Sequence, residues 1–223
     1  MTSRLLNTLL VTSLVGLLAG CAGTPPPDWQ MNAKSATDLA TNAYLAGNTR
    51  AEEQEFTFAR NEVARTGRVD LLARVELTRC ASRVASLVLE ECSGFEKLRQ
   101  DAPVSERAYA DYLAGRIQPQ DVASLSSQHR AVAGATSDTA AAAALQSIDD
   151  PLSRLVAAGV LFRTNRATPA VLTLAVDTAS AQGWRRPLLA WLGVQAMRAQ
   201  QAGDSTETER LRRRMALVQG TDK

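Results

Sequence analysis

The clearest helix signals in the sequence lie in residues 150–183, "DPLSRLVAAGVLFRTNRATPAVLTLAVDTASAQG". Asp150 can cap a helix whose first residue is Pro151, where the missing proline N–H costs no hydrogen bond. Thr168 and Pro169 repeat the same device eighteen residues later. After each pair, apolar residues recur with the three- and four-residue spacing of one helix face. The two stripes are Leu152, Leu155, Val156, Gly159 and Val160, and then Leu172, Ala175, Val176 and Ala179.

Helical spacing extends over most of the chain, and no stretch alternates polar and apolar residues long enough to indicate a strand. The sequence therefore predicts an all-α protein, built from helical hairpins that form either a repeat array or an irregular helical domain. The predicted helices are 34–46, 50–66, 69–90, 104–114, 119–132, 137–147, 151–164, 168–182, 187–202 and 205–219.

Charge and composition exclude several classes of function. The chain has 25 Lys and Arg against 23 Asp and Glu, which gives no support to nucleic-acid binding. Aromatic residues make up only 4%, which argues against a surface for stacking sugars or bases. The length suits one domain with a sizeable core.

The first residues of the chain predict its cellular location. Met1 to Arg4 form a cationic start, and the apolar run Leu5 to Leu18 is only 14 residues long. That run is shorter than the roughly 20 residues of a membrane-spanning helix and suits a secretory signal. It ends in Leu18-Ala19-Gly20-Cys21, which resembles the lipobox of bacterial lipoproteins. The resemblance implies that residues 1–20 are removed and that Cys21 carries lipid.

The residues after Cys21 extend this prediction. The alanine at position 22, where aspartate favours the inner membrane in this class, implies sorting to the outer membrane, facing the periplasm. Three prolines in "AGTPPPD" favour an extended tether, which we expect to occupy residues 21–32. The helical domain is then expected over 33–220, with the membrane as its first partner.

Cys80 and Cys92 remain once Cys21 is set aside. A disulfide between them suits an oxidising compartment. In one continuous helix their Cα atoms would lie about 18 Å apart, too far to be bridged. A disulfide therefore requires the helix to end near Val88 and the chain to double back, and the alternative is two buried thiols.

Two stretches resemble tetratricopeptide repeats. "LATNAYLAGNTRAEEQEFTFA", Leu39 to Ala59, has a tyrosine, a glycine turn and then Phe56 and Ala59. "LGVQAMRAQQAGDSTETERLRRRMAL", residues 192–217, has a Gly-Asp turn before a second helix. The resemblance implies helical hairpins that offer a surface to another protein.

Candidate catalytic residues are few. His129 is the only histidine, and its polar neighbours predict a surface or capping position. The adjacent carboxylates Glu90-Glu91 and Asp149-Asp150 point to different helix faces, although glycosidase-type catalysis by two facing carboxylates stays open. The sequence has no phosphate-binding glycine loop and no metal-ligand spacing, so we expect no cofactor and no metal.

Trp184, Arg185 and Arg186 form the candidate interaction surface, because Trp and Arg often dominate protein interfaces. The alternative is that Trp184 and Trp191 fill the core while the arginines face water. Together these features predict a periplasm-facing outer-membrane lipoprotein that acts as a scaffold or adaptor for an envelope protein. The alternatives are an enzyme acting on the cell wall and a binder of small ligands.

Overall fold

The computed structural model describes residues 26–220, which form eleven α-helices and one short 3₁₀ helix, with no strand in that range. The prediction of an all-α protein is confirmed. The helices are α1 (Asp28–Ala46), α2 (Thr49–Ala64), α3 (Val69–Ala85), α4 (Ser93–Glu96), α5 (Val104–Leu113), the 3₁₀ helix (Pro119–Ser124), α6 (Ser127–Ala133), α7 (Asp138–Gln146), α8 (Pro151–Arg163), α9 (Pro169–Ala181), α10 (Arg185–Gln201) and α11 (Ser205–Gln219).

Side-chain caps explain why several helices begin where they do. The Asp150 carboxylate accepts a hydrogen bond from the Ser153 N–H at 2.7 Å, and Thr168 Oγ1 accepts one from the Val171 N–H at 3.4 Å. Each bond satisfies an N–H group that has no partner within its helix. The starts predicted from these two cap-proline pairs agree with the structure to within a residue.

Three predicted helices differ most from the structure. The first helix begins at Asp28, six residues earlier than predicted. The helix predicted over 69–90 ends at Ala85, because Leu87 adopts a left-handed conformation with φ of 59°. The helix predicted over 119–132 is broken at Leu125, whose extended backbone separates the 3₁₀ helix from α6 while its side chain is buried.

The main core surrounds α8, in which every residue from Leu155 to Leu161 is buried. A helix that is apolar on all sides must be enclosed by other helices. α8 packs against α3, and the two backbones meet closely at Gly159, where a Cβ atom would lie 2.3 Å from the Val84 carbonyl oxygen. The small residue at this point allows the two central helices to approach.

Contacts between distant parts of the chain close the fold. α3 packs against α8, and α1 packs against α10, although each pair is far apart in sequence. In a linear repeat array each repeat would contact only its neighbours. Of the two packings expected from the sequence, these contacts favour the irregular helical domain.

The α1–α2 hairpin has a smaller core of its own, to which α3 contributes Val75. Its buried members are mostly alanines, so the helices lie close together: Ala33, Ala36, Ala40, Phe56, Ala59 and Val63. The hairpin is therefore joined to the main core through α3 and through the contact of α1 with α10.

Candidate functional site

The candidate ligand site is a cleft of about 470 Å³ between α3, α5, the 3₁₀ helix and the start of α6. Its wall combines one charged pair, several hydroxyl groups and two aromatic rings. The lining residues are Arg74, Leu77, Thr78, Ser105, Glu106, Tyr109, Ser124, Ser126, Gln128 and His129. We call this space the α3–α5–α6 cleft.

His129 is buried, with only 1% of its surface exposed, so the prediction of a surface or capping residue is wrong. Its ring lies 5.5 Å from that of Tyr109 and 5.0 Å from that of Tyr112, measured between centroids. α6 begins just after the break at Leu125, and its third residue, His129, packs against the aromatic side chains of α5. The His129 Nδ1 atom has no hydrogen-bond partner among residues 26–220.

Burial determines the protonation states of His129, Tyr109 and Tyr112. It lowers the pKa of His129 to about 4, because a buried imidazolium would lose its hydration. Burial likewise raises the pKa of Tyr109 and of Tyr112 above the ordinary value. All three rings are therefore neutral near pH 7. An imidazole with so low a pKa is a weak base, which favours binding over acid–base catalysis at this site.

Glu106 supplies the negative charge of the cleft and Arg74 supplies the positive one. Arg74 Nε donates a hydrogen bond to Glu106 Oε1 at 2.7 Å, and Ser105 Oγ donates to Glu106 Oε2. Burial alone would raise the pKa of the Glu106 carboxyl, but these donors hold that pKa below its usual value. The cleft thus presents a fixed ion pair next to neutral aromatic rings.

Four buried glutamates, Glu106 among them, were not anticipated from the sequence. Glu52, Glu62 and Glu76 are between 2% and 8% exposed, and each pairs with arginine at 2.6 to 2.8 Å. The Glu52–Arg79, Glu76–Arg60 and Glu106–Arg74 pairs join residues 16 to 32 positions apart, on different helices. Helical spacing reveals only partners within one turn, so no sequence signal identified these pairs.

Cys80 and Cys92 form a disulfide, with their Cα atoms 5.7 Å apart. Because α3 ends at Ala85, the following segment doubles back and carries Cys92 to the side of that helix. Of the two alternatives predicted for this pair, the structure contains the bridge. Glu90 and Glu91 line a groove beside it, together with arginines of α3.

The other carboxylate pair, Asp149-Asp150, lies at the start of α8. Asp150 caps that helix through the Ser153 N–H. Asp150 therefore has a structural role as a helix cap.

The three residues of the predicted interaction surface, Trp184, Arg185 and Arg186, have different environments in the structure. Arg186 Nε donates to the Tyr44 carbonyl oxygen at 2.7 Å, and its guanidinium lies 4.2 Å from the centre of the Tyr44 ring. Trp184 is half-buried and packs against the main core. Of these three residues only Arg185 is exposed. Arg186 instead links α10 to α1 through its contacts with Tyr44.

Trp191 lies in the core, as the alternative for this segment expected. Its side chain is fully buried, and its Nε1–H donates to the Ala85 carbonyl oxygen at 3.0 Å. The bond satisfies a carbonyl at the C-terminus of α3 that has no partner within the helix. It also ties α10 to the turn that precedes the disulfide.

Cys21, the predicted lipidation site, lies outside the described residues. Within residues 26–220 no helix is long and apolar enough to cross a membrane, and no group of three His, Cys, Asp or Glu could hold a metal ion. No family model, curated protein or solved structure matches the chain.

Proposed function

We propose that this protein is an outer-membrane lipoprotein that faces the periplasm and acts as a helical adaptor within an envelope assembly. The observation that carries the proposal is the lipobox-like Leu18-Ala19-Gly20-Cys21, which is followed within seven residues by the first helix of a folded body. Lipid attached to Cys21 would hold this helical body next to the membrane. The disulfide of the body suits the oxidising periplasm.

The surface at the turn between α9 and α10 is the best candidate for contact with a protein partner. Arg185 is exposed there, next to the half-buried Trp184. An arginine beside a partly buried indole offers both a charge and an apolar face, which is typical of residues that dominate interfaces. Arg186 fixes the turn against Tyr44, so the surface is held in one geometry before a partner binds.

Affinity capture of the tagged, lipidated protein tests the adaptor role. We expect a stoichiometric envelope protein to be recovered and its recovery to fall with Arg185→Ala. Arg213→Ala is the matched control, because this arginine is 70% exposed on a different helix, α11, and is paired with Glu209, so its removal should leave recovery unchanged. Recovery of the bait alone in repeated experiments would contradict the adaptor role.

The anchor is tested separately by cell fractionation. Cys21→Ser removes the sulfur that would receive lipid, so we expect the protein to leave the membrane fraction or to remain uncleaved. Cys21→Ser protein that stayed in the membrane fraction with its signal removed would overturn the anchor.

A second candidate function, binding of a small polar ligand, is favoured by the α3–α5–α6 cleft. Its ion pair, hydroxyl groups and neutral rings suit a small molecule that has both polar groups and an apolar face. Soluble peptidoglycan fragments are a suitable probe in this compartment. A rise in melting temperature that Tyr109→Ala abolishes would support binding, and release of fragments from intact peptidoglycan would instead indicate an enzyme.

A further inference from the structure

The end of the domain at which the described chain begins consists of the first turns of α1 and the turn between α2 and α3. Asn32 Nδ2 donates to Glu62 Oε2 at 3.2 Å, which places the start of α1 beside the end of α2. The side chains of Arg65 and Arg68 are 61% and 55% exposed at the adjoining turn. We call this region the proximal tip.

Two apolar side chains of the proximal tip are open to solvent. Met31 is 48% exposed, and Trp29 is partly exposed and belongs to neither of the two hydrophobic clusters in residues 26–220. Side chains of a helix lean toward its N-terminus, so these two lean toward the end where the chain continues to Cys21. The tip therefore presents an indole and a thioether outward.

The chain between Cys21 and this tip is short. Six peptide units separate Cys21 from Pro27, and they span at most about 21 Å when fully extended. The C-terminal end of α1 lies about 28 Å farther along the helix. If Cys21 is held in the membrane, the tip is the part of the body that stays within reach of the lipid headgroups.

We propose that the proximal tip docks on the phospholipid surface, with Trp29 and Met31 in the headgroup layer. This inference rests on the proposed lipid anchor. Tryptophan favours the membrane–water interface, because its ring is apolar and its N–H can still find a polar partner. The contact holds the body in a defined orientation on the membrane.

The charges of the tip indicate which lipid contact is made. Arg65 pairs with Glu62 at 2.6 Å, and Arg68 pairs with Asp70 at 2.6 Å. Because these cations are balanced by acids, the docking depends on the apolar and aromatic side chains rather than on a basic patch. It is therefore insensitive to salt, unlike binding through unpaired lysines or arginines.

Docking of the proximal tip would also set the orientation of the candidate partner surface at the turn between α9 and α10. Arg186 contacts Tyr44 near the C-terminal end of α1, so the turn with Trp184 and Arg185 lies at the opposite end of that helix from the tip. An upright body would present this turn toward the periplasm, where a soluble or cell-wall-bound partner could reach it.

Quenching of tryptophan by brominated lipid tests the proposal. The protein, purified from the membranes of the cells that make it, is reconstituted into vesicles of phosphatidylethanolamine and phosphatidylglycerol, with or without bromine on the acyl chains. We expect brominated vesicles to lower the tryptophan fluorescence of the wild type and of Trp184→Phe, but not of Trp29→Phe. Met31→Glu should reduce the quenching while the protein still floats with the vesicles, and added salt should leave the wild-type quenching unchanged.

The outcomes separate docking from the anchor. Protein that floats with the vesicles but is not quenched, or that is quenched equally after Trp29→Phe, overturns the docking and leaves the anchor standing. Protein that does not float overturns the anchor and the docking together. Circular dichroism of each variant shows whether the helical body is intact, so a loss of quenching is attributable to the substituted side chain.

Discussion

Replacing Gly159 by alanine tests the packing of the two central helices. The added Cβ would lie 2.3 Å from the Val84 carbonyl oxygen and 2.9 Å from Val84 Cγ1. An ordinary contact needs about 3.5 Å, so α3 and α8 would have to separate by about 1 Å. The obstructing atom belongs to the backbone of a packed helix, and rotation of a side chain cannot remove it.

The expected cost follows from two opposing effects. Overpacking of a buried interface costs up to about 3 kcal/mol, whereas Gly→Ala within a helix gains about 1 kcal/mol. Gly159→Ala should therefore lower the free energy of unfolding by about 2 kcal/mol, equivalent to roughly 6 °C in melting temperature for a protein of this size. The separation should also strain the bond from Trp191 Nε1 to the Ala85 carbonyl oxygen.

Urea denaturation followed by circular dichroism and tryptophan fluorescence measures this cost. Gly193→Ala is the matched control, because Gly193 lies within α10 and its Cβ would meet only Met215 Cε at 3.9 Å. We expect the control to be more stable than the wild type by up to about 1 kcal/mol. Equal stability of the two variants would refute the close approach of α3 and α8.

Three further predictions concern charge, pH and the disulfide. Glu52→Ala leaves Arg79 and Arg83 without their buried partner and should lower the free energy of unfolding by about 2 kcal/mol. Glu209→Ala, at an exposed pair, should lower it by less than about 0.5 kcal/mol in the same denaturation assay. Equal costs of the two substitutions would contradict the structural role of Glu52. Because the pKa of His129 is about 4 in the folded protein and near its usual value when unfolded, the unfolded state binds the proton first as the pH falls. Between about pH 7 and pH 5, the free energy of unfolding should therefore fall by about 2 kcal/mol more in the wild type than in His129→Gln. The same pH dependence in both proteins would show that His129 is not buried. Replacing Cys80 and Cys92 together by alanine should lower the free energy of unfolding by about 3 kcal/mol, because the short covalent loop is lost. A melting temperature that neither this change nor chemical reduction affects would contradict a disulfide in the native protein.

The helices were predictable where the signal is local. Asp150 with Pro151 and Thr168 with Pro169 mark helix starts through short-range hydrogen bonds, and the structure begins α8 and α9 at those prolines. The end of α3 was not predictable, because Leu87 takes a left-handed conformation that glycine or asparagine would normally signal. That conformation accompanies the turn that returns the chain to Cys80.

The candidate site was less predictable than the fold, since its parts come from separate helices. His129 looks like a surface residue from its polar neighbours, yet its ring packs on Tyr109 and Tyr112 from α5. The Arg74–Glu106 pair likewise spans 32 positions. Such contacts depend on how the helices cross, which periodicity within one helix does not determine.

The chemical state of the N-terminus decides whether this protein is a lipid-anchored lipoprotein. Intact-mass and peptide mass spectrometry of the protein, extracted from the membranes of the cells that make it, identifies its first residue and any lipid attached. If the protein is a lipoprotein, we expect a chain that begins at Cys21 and carries acyl groups on that residue. A chain that keeps residues 1–20, or one cut elsewhere with an unmodified Cys21, would contradict it.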